Sequence, residues 1–217
     1  MTFDFAKARE AMVEQQVRPW EVLEPRVLDV LLRMPREAFV PAGKQTLAYA
    51  DVALPLAHGE SMLKPVVVGR ALQALDLDGS EDVLEIRTGS GYVSACLGRL
   101  ASSVVSIERH ADLAAAAQAA LLGQGATNVT VEHADAFAGE PGRQFDAICV
   151  NGAVDAIPER FLGWLRPGGR MFIVRGRLPA MEAVLVHAEA AGARIDSLFE
   201  TDLAYLAGAA PVPAFAL

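Results

Sequence analysis

The feature that most constrains this chain is the run Asp82-Val83-Leu84-Glu85-Ile86-Arg87-Thr88-Gly89-Ser90-Gly91-Tyr92. A short apolar run carrying an acid, two glycines around a serine, and a helix-forming segment together predict strand, tight turn and helix. Gly89 and Gly91 allow the backbone to approach a ligand closely, and the N–H groups that open the following helix face the same crevice. Val104-Val105-Ser106-Ile107-Glu108 follows as a second strand ending in an acid, with Glu108 lying 19 positions after Gly89. That is the spacing at which a carboxylate accepts hydrogen bonds from ribose hydroxyls in a nucleotide-binding α/β unit.

From Glu81 onward, strands and helices alternate as a parallel, doubly wound α/β sheet requires. Strands are expected at Val83–Ile86, Val104–Ile107, Asn128–Glu132, Phe145–Val150 and Arg170–Val174. Phe145–Val150 is almost continuously apolar, the mark of a strand covered on both faces. Helices are expected at Tyr92–Leu100, at Asp112–Leu122 with Gly123 and Gly125 as terminators, and from Pro158 to Pro167-Gly168-Gly169. Beyond Pro179, residues Glu182 to Ala191 fit a helix by composition, Ala183–His187 fits a strand, and periodicity does not separate the two. Arg194 to Leu206 reads as a last strand.

Residues 1–50 carry apolar positions at helical spacing, Phe5, Ala8, Met12 and Val13, then Val27, Leu28, Leu31 and Leu32 after Pro25. Pro19 is expected to separate the two helices and Pro35 to end the second. Residues 1–65 therefore form an N-terminal helical cap with a loop, Asp51 to Pro65, and residues 66–217 form the cofactor-binding unit. Within that loop, Pro, Gly, His and acids crowd together without a period, which suits a substrate loop as well as a plain connection. Pro65 opens a further helix through Val68, Leu72 and Leu75.

Composition narrows the function classes. Hydrophobic residues make up 53% of the 217, yet no apolar run approaches the roughly 20 residues of a bilayer span. The start Met1-Thr2-Phe3-Asp4-Phe5-Ala6-Lys7 lacks the basic and apolar parts of a signal peptide, so the expected location is the cytoplasm. Cys96 and Cys149 fall in a helix and a strand without metal-ligand spacing, so reduced buried thiols and no metal are expected. A net charge of −8 with no Lys or Arg run argues against a nucleic-acid partner. Neither a membrane nor nucleic acid is an expected partner, and the chain is read as a monomer or homodimer.

Acids near the ends of three successive strands, Glu85, Glu108 and Asp135, are expected to face the crevice above the sheet. Phosphate cradles favour glycine, hydroxyls and Lys over such negative charge, so a cationic, hydroxyl-rich ligand fits better. S-adenosylmethionine, with its sulfonium, amine, ribose diol and adenine, has a group for each acid. Glu108 is expected to bind the ribose, Asp135 the adenine edge, and Glu85 to steady the loop or attract the ammonium. Asn151 is placed near the reacting methyl. Arg87, Thr88, Gly89, Ser90, Gly91, Arg109 and Ala136 complete the expected cofactor set.

The run Val83–Tyr92 closely resembles the cofactor motif of the protein-L-isoaspartate (D-aspartate) O-methyltransferases, a class I methyltransferase family. Pro35-Arg36-Glu37-Ala38-Phe39-Val40-Pro41, Ala48-Tyr49-Ala50-Asp51, Leu54-Pro55-Leu56, Ser106-Ile107-Glu108-Arg109, Phe145-Asp146-Ala147-Ile148 and Pro167-Gly168-Gly169-Arg170 resemble further segments of that family, in order. The resemblance implies a seven-stranded, mostly parallel Rossmann-like sheet with N-terminal helices, and a strand at Glu182–Glu189. It also implies methyl transfer from S-adenosylmethionine, leaving S-adenosylhomocysteine, to the side-chain carboxylate of isoaspartyl residues in damaged proteins or peptides. By the same resemblance, the ester then closes to a succinimide.

Two departures stand against that pattern. Where the family's loop has glycine this chain has Arg87, expected either to crowd the cofactor's methionine end and weaken binding or to reach its carboxylate. Where the family reads glycine-glutamine-threonine-isoleucine-serine, this chain reads Gly59-Glu60-Ser61-Met62-Leu63. Leu63 cannot hydrogen-bond a carboxylate and Glu60 repels one. Ser61, Asp51 and His58 are then the candidates on the acceptor side, while His110, His133 and His187 are read as surface or structural. A methyltransferase with another acceptor, and a non-catalytic relative whose cofactor site is closed by Arg87, are the alternatives these departures open.

Overall fold

The computed structural model describes residues 3–212; residues 1–2 and 213–217, the outer ends of the two expected regions, lie outside the described residues. In chain order the elements are helices α1 (Phe5–Met12) and α2 (Pro25–Arg33), the short strands β1 (Leu54–Pro55) and β2 (Ser61–Met62), and helix α3 (Pro65–Leu75). They continue as β3 (Asp82–Ile86), α4 (Tyr92–Leu100), β4 (Ser103–Glu108), α5 (Ala111–Gly123), β5 (Val129–His133) and β6 (Phe145–Val154). The last are α6 (Glu159–Gly163), β7 (Leu165–Arg177), β8 (Ala180–Glu189) and β9 (Gly192–Glu200).

The seven longer strands form one sheet in the order β5-β4-β3-β6-β7-β8-β9. The pairs among β5, β4, β3, β6 and β7 are parallel, while β8 and β9 join antiparallel. From β3 the chain builds outward to β4 and β5, then returns to the other side as β6. The strand order thus reverses between β3 and β6, and a crevice opens above their carboxyl ends. This is the seven-stranded, mostly parallel sheet with N-terminal helices that the resemblance implies.

Apolar residues cover both faces. On one, Met12, Val13, Val17, Val27 and Leu31 of the N-terminal region pack with Leu72, Leu97 and Val83 in a single cluster. On the other, Leu84, Ile86 and Ile148 pack with Phe161 and Trp164. The N-terminal helices therefore share a core with the sheet.

Local differences from the sequence reading have local causes. Helix α1 does not stop at Pro19 but continues through a π turn and a 3-10 turn to Glu21, whose φ of 61° ends it. Met34, pushed to an extended ψ of 117° by Pro35, ends α2 as expected. The helix after Pro158 ends at Gly163, well before Pro167-Gly168-Gly169. The N–H of Phe145 donates to Trp164 O at 2.8 Å, and Leu165 already pairs with Phe145. Residues 166–169 then bulge before pairing resumes at Arg170 with Ala147. At 180–189 the strand prevails over the helix, because Ala183, Val184 and Val186 are buried in a two-sided sheet that favours β-branched side chains.

The expected last strand, Arg194–Leu206, is divided. Its first part is β9, and the rest turns back across the carboxyl edge of the sheet. There the Ala153 N–H donates to Ala204 O at 3.0 Å and the Leu206 N–H to Ala153 O at 2.8 Å. A Cβ on Gly152 would lie 2.6 Å from Leu206 Cδ2, so glycine is what lets this strap lie down. It brings Leu206 and Ala207 to the rim of the crevice.

Candidate functional site

The crevice is lined by Ile86, Arg87, Ile107, Glu108, Arg109, Ala134, Asp135, Ala136 and Phe137 from the ends of β3, β4 and β5. Glu60, Leu206 and Ala207 close its open side. The turn from β3 into α4 is fixed from below: the Arg87 N–H donates to Ile107 O at 2.9 Å and the Thr88 N–H to the same oxygen at 3.3 Å. Gly89 and Gly91 take φ of 57° and 84°, a region where glycine carries no Cβ penalty. A Cβ at Gly91 would meet the Ala117 Cβ at 3.2 Å, so this glycine also allows α5 to approach.

Glu108 is 1% exposed. Its Oε2 accepts from the Gly89 N–H at 2.9 Å and its Oε1 from the His110 N–H at 3.0 Å. Each carboxylate oxygen keeps lone-pair capacity for a further donor, which suits a vicinal diol. Asp135 Oδ1 accepts from the Phe137 N–H at 2.8 Å, and this turn carries Ala136 and Phe137 along the crevice. Apolar side chains between two fixed carboxylates suit a flat heteroaromatic base joined to a ribose. The residues present therefore fit an adenosine-type group.

Glu85 lies elsewhere than the crevice. It is fully buried, accepting from Ser94 Oγ, from Ser106 Oγ at 2.5 Å and from Asn151 Nδ2 at 2.6 Å. Burial raises its carboxyl pKa to about 7, while its three donors and the nearby Glu108 act as smaller influences. Asn151 Nδ2 also donates to Arg87 O at 3.2 Å, and the Thr88 and Ser106 hydroxyls lie 2.5 Å apart. Glu85 thus anchors the turn from beneath. The expectation that all three acids face the crevice fails at Glu85 because it stands one residue before the end of β3, beneath the turn, whereas Glu108 is the last residue of β4.

Beside the crevice lies a narrow cleft lined by Arg36, Ser61, Met62, Leu63, Arg87, Thr88, Gly89, Ser90, Tyr92, Val93 and Asn151. A third pocket is lined by Ala53, Ser61–Lys64, Arg87, Leu178 and Asp202–Ala204. Ser61 borders both acceptor-side pockets. Arg36 sets the position of this loop: it is fully buried, its Nε donates to Ala48 O at 2.7 Å and its Nη2 to Leu63 O at 2.7 Å. Its guanidinium also lies 4.7 Å from the centre of the Tyr92 ring, a cation–π contact.

The other two acceptor-side candidates are not gathered there. Asp51 is exposed and accepts from the Val66 N–H at 3.5 Å, at the start of α3. His58, with φ of 59°, stacks on His110 at 4.1 Å between ring centres, and its Nε2 lies 2.9 Å from both carboxylate oxygens of Asp112. Neither lines the crevice or the two acceptor-side pockets.

Arg87 borders the crevice and both acceptor-side pockets. Its φ is 74°, uncommon for a residue with a side chain. Its Nε donates to Glu60 Oε2 at 2.5 Å and its Nη1 to Asn151 O at 2.7 Å. The two departures noted in the sequence therefore meet as an ion pair, with Arg87 8% and Glu60 16% exposed. Glu60, Phe137 and Leu206 were missing from the sequence-derived site. The charge opposite to Arg87 was the available signal for Glu60; Leu206 depends on the return of the strap and had none.

No helix among the described residues is long and apolar enough to cross a membrane, and among them no group of three or more His, Cys, Asp or Glu could hold a metal ion.

The model of the protein-L-isoaspartate (D-aspartate) O-methyltransferase family matches residues 7–197. Protein-L-isoaspartate O-methyltransferase 1 of Rhodopseudomonas palustris is 42% identical over 79% of this chain and 71% of its own length. The Syntrophobacter fumaroxidans protein of the same name is 38% identical over 90% of this chain and 92% of its own. Among solved structures, a Plasmodium falciparum protein described as a putative protein-L-isoaspartate O-methyltransferase in complex with S-adenosyl-L-homocysteine superposes with a TM-score of 0.78. That superposition covers 91% of this chain and 97% of the other at 18% identity, a likeness of fold. Matched along nearly its whole length, the chain belongs to the protein-L-isoaspartate (D-aspartate) O-methyltransferase family, a family of S-adenosylmethionine-dependent carboxyl O-methyltransferases.

Proposed function

We propose that this chain transfers the methyl group of S-adenosylmethionine to the side-chain carboxylate of isoaspartyl residues in proteins and peptides. The observation that carries this is the buried carboxylate of Glu108, held by the Gly89 and His110 N–H groups at the mouth of an apolar crevice in a chain of this family. Glu108 and Asp135 would hold the ribose and the adenine edge, with Gly89 and Ala136 against the ligand. When bound, the cofactor supplies an electrophilic methyl on a sulfonium, a good leaving group.

An ionised carboxylate is already a nucleophile, so the chain has little proton transfer to perform. Its contribution is to align the acceptor and exclude water. Arg36 serves this by fixing the Leu63 carbonyl, and with it the loop carrying Ser61. Ser61 lines both acceptor-side pockets and would supply a hydroxyl there. Glu60 does not present a free charge to the acceptor, because Arg87 neutralises it.

The test is transfer of labelled methyl to a synthetic peptide containing isoaspartate, with the aspartyl isomer as control. Base-labile label on the isoaspartyl peptide alone is the expected result. Tight S-adenosylhomocysteine binding with no label on either peptide would overturn the acceptor assignment while leaving the cofactor assignment intact.

A further inference from the structure

Arg87 is a cation where three pockets meet, one of them lined by the carboxylates of Glu60, Glu108 and Asp135. It borders the crevice that contains Glu108 and both pockets that contain Ser61. Its side chain is more than nine-tenths buried, and its Nε and Nη2 both crowd onto one oxygen, Oε2, of Glu60. The pair with Glu60 thus uses one carboxylate oxygen for two donors, its other oxygen facing His110, whereas a guanidinium is best satisfied by a carboxylate that gives one oxygen to each of two parallel donors. Glu60 comes from the segment leading into the short strand β2, so the partner is on a loop while Arg87 is on the rigid β3–α4 turn.

We propose that Arg87 is a carboxylate-binding residue of the active site, and that Glu60 occupies it until a ligand carboxylate displaces it. This rests on the methyltransferase reading above. Both reactants of that reading carry a carboxylate, the amino-acid end of the cofactor and the acceptor side chain, and Arg87 borders the pockets assigned to each. Exchange leaves the buried guanidinium paired throughout, which its burial demands. Glu60 moves outward with its loop, where His110 Nε2 already stands 3.7 Å from its other oxygen. The left-handed backbone of Arg87 is accordingly retained for the side chain it presents, where glycine would be the unstrained choice.

The experiment measures binding by calorimetry in the wild type and in Arg87→Gly, Arg87→Lys, Glu60→Gln and the double variant Arg87→Gly/Glu60→Gln. Arg87→Gly places glycine at a φ glycine favours, and the double variant removes both charges together, so a folded protein is expected for the comparison. Three ligands are titrated: S-adenosylhomocysteine, methylthioadenosine, which lacks the amino-acid end, and an isoaspartyl peptide in the presence of S-adenosylhomocysteine. If the cofactor's carboxylate is the ligand, Arg87→Gly weakens S-adenosylhomocysteine about tenfold or more and leaves methylthioadenosine unchanged, as loss of a charge-assisted pair dictates. If it is the acceptor's, the peptide weakens to that extent and both nucleosides hold. In either case Glu60→Gln tightens the affected ligand several-fold by removing the competitor, and Arg87→Lys recovers part of the loss.

The assignment is overturned if Arg87→Gly binds both S-adenosylhomocysteine and peptide at least as well as wild type, or weakens methylthioadenosine equally. Weaker binding in Glu60→Gln would overturn the exchange. Wild-type protein that binds neither S-adenosylhomocysteine nor peptide would overturn the methyltransferase reading itself, a result distinct from these.

Discussion

The two sides of the candidate crevice are made differently. On the strand side, Glu108 and Asp135 stand at the ends of β4 and β5, and their carboxylates are oriented by backbone N–H groups of Gly89, His110 and Phe137. On the loop side, Ser61 and Glu60 belong to a segment with only two-residue strands, oriented by side chains from elsewhere: Arg36 through Leu63 O, and Arg87 through Glu60. The strand side is set by the sheet and changes only if the sheet does. The loop side is set by two arginines, and a single substitution can re-aim it. The proposed cofactor surface is thereby fixed by the sheet, and the proposed acceptor surface by side chains.

The most severe challenge to the strand side is Glu108→Ala. It removes the acceptor for two backbone donors and for the proposed ribose, and S-adenosylhomocysteine affinity is expected to fall by roughly a thousandfold, ~4 kcal/mol for two charge-assisted hydrogen bonds. Calorimetric titration measures it, and a change below tenfold would show that Glu108 is structural only. On the loop side, Arg36→Met keeps much of the stem but deprives the Ala48 and Leu63 carbonyls of their donor. Stability is expected to drop by about 3 kcal/mol, or roughly 6–12 °C in Tm, with the acceptor KM rising while S-adenosylhomocysteine affinity holds. An equal loss of both affinities would erase the distinction between the two sides.

Beneath both sides, Glu85 makes stability depend on pH. Burial raises its pKa from 4.5 to about 7, so between those values the folded protein binds more protons than the unfolded chain. Its contribution to stability therefore falls as pH rises through that window, by roughly 3 kcal/mol in all, and is constant outside it. Denaturant titrations from pH 4 to 8 in wild type and Glu85→Gln are expected to differ by that slope. Identical pH profiles would place the titration in another group. The smallest effect is expected at Asp112→Asn, which weakens an exposed contact to His58. A stability change under ~0.5 kcal/mol is expected by thermal unfolding, and a larger one would make the stacked histidines part of the loop's support.

The same division explains what could be read from the residues alone. Val83–Ile86, Val104–Ile107 and Phe145–Val150 are legible because a buried parallel strand imposes an apolar run, and Glu108 because the βαβ unit fixes its distance from Gly89. Leu165 as the true start of β7 is not legible, since only the pairing with Phe145 overrides the turn-forming Pro167-Gly168-Gly169. Nor is the return of Asp202–Leu206, which depends on Gly152 being small and on edge hydrogen bonds at Ala153. His58 and Asp51 drew attention because polar residues in a loop suggest chemistry. Their side chains instead meet Asp112 and the start of α3. Arg87 and Glu60 were each noticed as departures, and their pairing is what converts two apparent defects into one compensated feature.

The outermost strand β9 has a consequence for an enzyme whose proposed substrates are damaged chains. A sheet border with free N–H and C=O groups invites an extended segment to add as an eighth strand. On β9, Arg194 pairs with Glu189 and Asp196, and Glu200 ends the strand, while the pairing of β8 with β9 slips at Ala183/Val184. Charge and irregular register make this border a poor template. On this side of the sheet the fold therefore discourages a further strand from adding to it.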